Sequence, residues 1–205
     1  MLFRGAQDFM AECLKLCSSD FPHDSRNLSE PSLILYFFDS GGGSYPKIFS
    51  LQYASWFQSL SNKLNPKQRI PELAFWHVPT HAYAKIAPHP GFPIEHPCVG
   101  SLNLEAVDPQ VAELGFMDLI LKRNSMKASF VGHNHGLDWC CPVESEGTMY
   151  LCFAKHTGYG GYGSWTRGAR MIEVSEDPFT LRTYVLLEDG TVTSDLSLPI
   201  LHDTY

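Results

Sequence analysis

Histidine is the residue type in this sequence that most directly indicates chemistry. The chain has 205 residues and nine histidines, and histidine is both the commonest metal ligand and the usual proton shuttle near neutral pH. Two of them stand in the segment Gly132-His133-Asn134-His135-Gly136, which directly follows a short apolar run. Two imidazoles in a glycine-flanked turn can face one point beyond the carboxyl end of a strand, where open α/β sheets place their sites. The segment therefore predicts a binding site rather than a solvated polar loop.

A third histidine, His77, has a similar position. It ends the apolar run at residues 73–76 and is followed by a valine and a proline. If the two apolar runs form neighbouring parallel strands, their carboxyl ends lie at the same edge of the sheet, and His77 emerges there beside His133 and His135. Three histidines at two strand ends are a typical origin of a metal site. We therefore predict that His77, His133 and His135 are metal ligands.

Other histidines lie in loops where a proton donor could be placed. His81, His89 and His96 stand in a proline-rich loop, and we take His81 and His89 as candidates for a general acid, although an isolated loop histidine is more often an ordinary surface residue. His156 precedes a run of glycine and tyrosine at residues 157–163. Because this run lacks the GxxxxGK[ST] pattern, we interpret it as a tightly packed bend that carries aromatic rings near the site.

Apolar runs and turn residues predict the elements that position these histidines. Continuous apolar runs predict buried strands at residues 33–38, 73–76 and 128–131. Ser50 predicts the start of a helix that ends at Asn65-Pro66, and Asp108-Pro109 predicts the start of a second helix that runs to Leu121. Further strands are expected at residues 149–154, 169–174 and 181–187 and near residue 192. This order predicts an α/β fold with α+β character at the C-terminus.

The chain is expected to form one domain over residues 32–205, because 44% of its residues are hydrophobic and it contains no internal repeat. Residues 1–31 are expected to be a poorly structured leader, in which Phe9, Cys13 and Leu16 could form one face of a short helix.

Composition excludes several classes of partner. Fifteen basic and 22 acidic residues give a net charge of −7, which argues against nucleic acid or an anionic membrane surface as the main partner. No apolar run approaches the ~20 residues of a membrane span. The N-terminus lacks the pattern of a signal peptide, which favours a cytoplasmic location for the chain as it stands. Six cysteines permit three disulfides, but their spacing leaves the redox compartment open.

The histidine segments resemble a known family. Residues 130–135 are similar to the GHxH block of calcineurin-like metallophosphoesterases, and residues 75–79 are similar to the single-histidine block that precedes it. The surrounding segments narrow the resemblance to plant purple acid phosphatase-like proteins, in the group usually called probable inactive purple acid phosphatases. These segments are residues 39–43, 136–142 and 156–163, with Trp165, Arg167, Gly168, Ala169 and Arg170.

The resemblance implies a fold, a cofactor and a substrate class. It covers about residues 32–195 and implies the C-terminal half of the metallophosphoesterase β-sandwich with flanking helices. It implies a binuclear metal site, of iron with zinc, manganese or a second iron, that hydrolyses phosphate monoesters. On the matching positions, His77 and His133 would bind one metal and His135 the other. The resemblance leaves the oligomeric state unknown, and full-length relatives are mostly secretory.

The sequence departs from this family in its carboxylate blocks. The family blocks DxH, GDxxD and GNH are absent, since the chain contains no Gly-Asp, no Gly-Asn and no Asp-x-His. Three neutral imidazoles do not replace those oxygen ligands, which neutralise the charge of the metals. We therefore expect a phosphoric-ester hydrolase by family that is truncated and inactive as this chain.

Two further hypotheses stay open. The first is a non-enzymatic fold remnant that binds a partner or a single metal ion through His77, His133 and His135. The second is a complete mononuclear zinc hydrolase that uses the three histidines and a water molecule.

Overall fold

The structure of the chain is a computed structural model, and it describes residues 3–4, 11–16, 31–41, 47–143 and 149–200. The elements within these ranges are the strands β1 (Phe3–Arg4), β2 (Ala11–Leu16), β3 (Leu33–Phe38), β4 (Glu72–Phe75), β5 (Met126–Val131), β6 (Cys140–Pro142), β7 (Tyr150–Phe153), β8 (Gly168–Glu176), β9 (Phe179–Leu187) and β10 (Val192–Leu198), and the helices α1 (Leu51–Leu64), α2 (His81–Ile86) and α3 (Phe116–Leu121).

The strands form two sheets. β3, β4, β5 and β7 run parallel at the centre of the larger sheet, whose order is β1-β2-β3-β4-β5-β7-β6, and its outer strands pair antiparallel. The smaller sheet has the order β10-β9-β8 and is antiparallel throughout. The predicted α/β class, with a parallel layer that passes into an antiparallel C-terminal region, is confirmed.

Two apolar cores lie on opposite faces of the larger sheet. On one face, alternate residues of β3 such as Tyr36 and Phe38 pack with Phe57 of α1 and Phe116 of α3, as the two-residue period of a strand requires. On the other face, Leu73 and other apolar residues of the larger sheet pack against the smaller sheet. The layers are thus helices, sheet and sheet, which is a sandwich with helices on one side.

Helix α1 follows its sequence signals. It begins after Ser50 and ends at Asn65, and it buries Tyr53 and Phe57, which are four residues apart. The Asn65 side-chain oxygen accepts hydrogen bonds from the backbone N–H groups of Arg69 and Ile70. This cap directs the chain from the end of the helix into β4.

The helix expected around Cys13 and Leu16 is wrong, because Ala11–Leu16 is a strand that pairs antiparallel with β3 along six residues. An isolated short helix is marginal in water, whereas pairing satisfies the backbone groups at the edge of β3. Phe9 lies outside the described residues. Strands thus occur within the expected leader, and the domain boundary after residue 31 stays a prediction.

The helix expected to begin at Asp108 is also wrong, because helical structure starts only at Phe116 in α3. Leu114 and Gly115 have positive φ angles of 36° and 79°, which a right-handed helix does not accommodate. The sequence signal failed because the Asp108 carboxylate binds other side chains instead of capping a helix.

Two disulfides hold the proline-rich loop that contains Cys98, and the strand β6, which the sequence did not predict, against the rest of the larger sheet. Cys98 is bonded to Cys141, and Cys140 is bonded to Cys152 of β7. The adjacent residues Cys140 and Cys141 point to opposite faces of β6, so each reaches a different partner.

None of the helices in the described ranges has the length and apolar character that a membrane crossing would need.

A buried ion pair organises the amino ends of the parallel strands. The Glu72 carboxylate is fully buried and accepts hydrogen bonds from Arg123 Nε at 2.7 Å and Nη2 at 2.9 Å. Ser125 Oγ, Tyr36 Oη and Asn65 Nδ2 also donate to it, at 2.7, 3.0 and 3.2 Å. The group joins the start of β4 to β3, to the end of α1 and to the turn before β5.

We predict that Glu72→Gln lowers the free energy of unfolding by about 3–5 kcal/mol, because it leaves the buried Arg123 guanidinium without a counter-charge. Urea denaturation followed by circular dichroism measures the change. The matched control is Glu173→Gln, which breaks an exposed ion pair with Arg182 and should cost less than about 1 kcal/mol. Equal losses in the two variants would contradict the role of Glu72.

Candidate functional site

His77 and His133 meet at the carboxyl edge of the larger sheet. β4 and β5 are parallel neighbours, and beyond their ends the Gly132 N–H donates to the His77 carbonyl oxygen at 3.0 Å. The centroids of the His77 and His133 rings are 5.3 Å apart. A Cβ atom on Gly132 would lie 3.0 Å from His77 Nδ1, so any other residue would push the His77 ring outward by a few tenths of an ångström.

The end of β3 holds the backbone of His77. Ser40, which is buried, accepts hydrogen bonds at Oγ from the N–H groups of His77 at 3.1 Å and Val78 at 2.8 Å. Three adjacent strand ends therefore converge at one point. Sequence reasoning did not single out Ser40 itself, since a serine before a glycine run carries no specific signal.

The ring of His133 is bound by a carboxylate and an ammonium group. His133 Nε2 lies 2.8 Å from Asp108 Oδ2, and Lys47 Nζ lies 3.0 Å from the same oxygen and 3.1 Å from His133 Nε2. Hydrogen bonds from His133 and Lys47 hold the pKa of Asp108 below its ordinary value. An ionised carboxylate can only accept, so the 2.8 Å contact favours a proton on His133 Nε2, and the Lys47 ammonium then donates to Asp108 and not to His133.

His135 is held in a stack of aromatic rings. Its ring lies parallel to that of His156, at 3.6 Å between centroids, and to that of Tyr162, at 4.1 Å. His135 Nδ1 lies 2.8 Å from the Tyr162 carbonyl oxygen, so Nδ1 carries the proton and Nε2 is left as an acceptor. A Cβ atom on Gly161 would lie 2.6 Å from the His135 ring. Of the bend expected at residues 157–163, Tyr162 does place a ring on His135, but the segment is exposed rather than tightly packed, and Tyr159 is 82% exposed.

Positive charge and packing act together on His77. Burial lowers its pKa most, and charge on His133, His135 or Lys47 lowers it further. His77 is therefore neutral at physiological pH.

His81 and His89 are both exposed. His81 is the first residue of α2, and its N–H donates to Glu113 Oε2 at 3.1 Å. His89 packs its ring on Phe92 at 4.7 Å. Their suggested role as proton donors stays a prediction.

The donor groups of this edge do not fit a binuclear metal centre. The His135 tautomer leaves Nε2 free, which is typical of a metal ligand. The proton on His133 Nε2 and the adjacent Lys47 ammonium occupy the position that a cation would need. Within the described ranges, no group of three or more His, Cys, Asp or Glu side chains could hold a metal ion.

Comparison with known proteins identifies the relatives of the chain. No family model matches it. It is 29% identical over 168 residues to probable inactive purple acid phosphatase 29 of Arabidopsis thaliana, covering 74% of this chain and 41% of that protein. It is 27% identical over 164 residues to probable inactive purple acid phosphatase 14 (69% of this chain, 37% of that protein) and 30% identical over 152 residues to probable inactive purple acid phosphatase 28 (68% and 35%), both of the same plant.

The chain is related to the purple acid phosphatase-like proteins. These matches cover about 70% of the chain. They confirm the resemblance to that group that the histidine segments indicated. The chain spans between 35% and 41% of the length of these purple acid phosphatase-like relatives.

We predict that Lys47→Met raises the pKa of His77, because it removes one of the positive charges that disfavour the imidazolium form. The shift should be small, since burial and the two neighbouring histidines act more strongly. A pH titration of the His77 ring proton signals by NMR measures it. Lys63→Met, at an exposed lysine in the last turn of α1, should leave the pKa unchanged. A wild-type His77 that titrates at or above 6.5 would contradict this account.

Proposed function

We propose that the chain is the C-terminal portion of a phosphate-monoester hydrolase fold of the purple acid phosphatase-like group, and that as this chain alone it does not hydrolyse phosphate esters. The observation that carries the proposal is the meeting of His77 and His133 at adjacent strand ends, with their ring centroids 5.3 Å apart. Imidazoles at the carboxyl ends of adjacent strands are the arrangement in which a metallohydrolase site places its histidine ligands.

The missing activity follows from the chemistry that the reaction needs. Hydrolysis requires an activated water molecule, neutralisation of charge on the phosphoryl oxygens and a proton for the leaving group, and a metal pair would supply the first two. In this chain the Lys47 ammonium is paired with Asp108, so its charge is not available to a phosphoryl group. The chain also lacks the DxH, GDxxD and GNH blocks. His81 and His89 are the proposed proton donors in a completed site.

The names of the relatives agree with this proposal. All three matched proteins are called probable inactive purple acid phosphatases. We transfer the family and the inactivity to this chain as part of the proposal, together with phosphate esters as the substrate class. Iron with zinc, manganese or a second iron is the metal pair that the family site implies. His77, His133 and His135 alone do not supply the ligands for such a pair.

A second candidate function is binding of a single metal ion through His77, His133 and His135. The favouring observation is the tautomer of His135, whose Nε2 is left as an acceptor. Binding would require His133 to lose the Nε2 proton that it shares with Asp108.

Two disulfides support an oxidising compartment for this chain. Cys98–Cys141 and Cys140–Cys152 are of the kind that persists in secreted proteins and is rare in the cytosol. We therefore propose a secretory location, in place of the cytoplasmic location that the N-terminus favoured.

We predict that the purified chain, supplied with iron, zinc or manganese, shows little or no turnover of an aryl phosphate, because the carboxylate ligands are absent. Release of the aryl alcohol, followed by absorbance, measures the rate. A fusion that supplies the missing blocks from an active full-length phosphatase should restore turnover, and His133→Ala in that fusion should remove it. Robust metal-dependent turnover by the unmodified chain, lost in His133→Ala, would refute the proposal.

The second candidate is tested by equilibrium dialysis of the chain against zinc. The proposed function predicts that wild-type protein binds zinc more weakly than micromolar and that Lys47→Met binds it more tightly, since the variant removes the competing ammonium. A micromolar dissociation constant for the wild type that is lost in His133→Ala would favour the single-metal function instead.

A further inference from the structure

A cavity of about 500 Å³ lies at the edge of the larger sheet opposite to the histidines. Its walls come from the loop before β4, the turn before β5, the second residue of β5 and the segments that flank the smaller sheet. This volume is within the range of about 300–1,000 Å³ that small-molecule sites occupy. The histidine edge lies at the other ends of the same parallel strands, so the two sites are separate.

Positive charge is concentrated in this cavity. Lys67, Arg69 and Lys127 line it, and none of the three forms an ion pair with any of the described residues. Glu72 is the carboxylate that acts on Lys127, and its oxygens already accept from Arg123, Ser125, Tyr36 and Asn65. A local excess of three cations is unusual in a chain whose net charge is −7.

Lys127 is the decisive residue, because its side chain is buried and forms no ion pair with a carboxylate in the part of the chain that the structure describes. The residue is 2% exposed, and its ammonium donates to the Asn124 carbonyl oxygen at 2.9 Å. Of the other buried cations, Arg123 binds Glu72 and Lys155 lies 3.5 Å from Asp138, whereas Arg167 binds the His156 ring and the Gly163 carbonyl oxygen. Burial of an unpaired ammonium is costly unless an anion compensates for it.

The remaining wall of the cavity is apolar. Phe179 and Ile200 line it, and both pack on the apolar core between the two sheets. Ser125 also lines it, but its hydroxyl proton is donated to Glu72. A ligand that fits this lining carries its negative charge at one end and a short apolar group at the other.

We propose that this cavity binds a small organic dianion with a short apolar body. Two or more negative charges match the three cations better than one, because each charge that stays unpaired in a partly buried site weakens binding. Arg69 offers a planar fork that binds two oxygens of one phosphate or carboxylate group. Lys127 supplies the buried charge at the base of the site, and Phe179 and Ile200 hold the apolar body.

Phenyl phosphate is the probe, and isothermal titration calorimetry at low salt measures its affinity for the full chain. We expect saturable one-to-one binding that is tighter than that of inorganic phosphate, which lacks the ring, and of benzoate, which lacks the second charge. Lys127→Met should weaken binding at least tenfold. Arg69→Gln changes an exposed residue and should weaken it severalfold without a risk to folding.

Two controls locate the binding. Lys85→Met, at an exposed lysine in the last turn of α2, should leave the affinity unchanged. His133→Ala should also leave it unchanged, because the cavity and the histidine edge are separate. The proposal is overturned if phenyl phosphate does not saturate, if Lys127→Met and Arg69→Gln bind as tightly as the wild type, or if His133→Ala abolishes binding.

Discussion

The parallel register of β4 and β5 is the constraint on which the candidate site depends. It brings the carbonyl of His77 to the N–H of Gly132, so that the two following side chains leave the sheet at adjacent points. The absence of a side chain at Gly132 lets the rings approach. The strands are buried on both faces. A one-residue slip in this register would therefore disrupt the side-chain packing in both apolar cores. The geometry of the histidines is therefore set by packing far from their rings.

The same strands carry opposite chemistry at their two ends. At the amino ends, a buried ion pair between Glu72 and Arg123 stabilises the sheet, and the Glu72 oxygens form no ion pair with Lys127. At the carboxyl ends, Lys47 and Asp108 neutralise one another beside His133. The chain thus retains the imidazoles of a phosphatase-like site while an internal cation stands where a metal ion would be attracted. A change at the site is compatible with retention of the fold, because fold and site draw on different residues.

The parts of this structure that sequence reasoning predicted are those with strong local signals. β3, β4 and β5 were predicted because their apolar runs are continuous, and the meeting of His77 with His133 followed from parallel order. Local signals failed where a distant partner decided the outcome. Asp108 has the sequence of a helix start, but its carboxylate binds His133 and Lys47. Cys13 and Leu16 belong to a strand because β3 offers an edge. Lys47 itself stands in a loop and has no pattern around it.

The protonation of His133 Nε2 is the most direct test of this account. A long-range proton–nitrogen NMR spectrum of the histidine rings near neutral pH distinguishes a protonated ring nitrogen from one with a free lone pair. The account predicts that His133 Nε2 carries a proton, because it donates to ionised Asp108, and that His135 has a free Nε2. It predicts further that the His133 signals stay in place when one equivalent of zinc is added. A His133 Nε2 that is unprotonated and shifts with zinc would contradict the claim that Lys47 and Asp108 occupy the cation position.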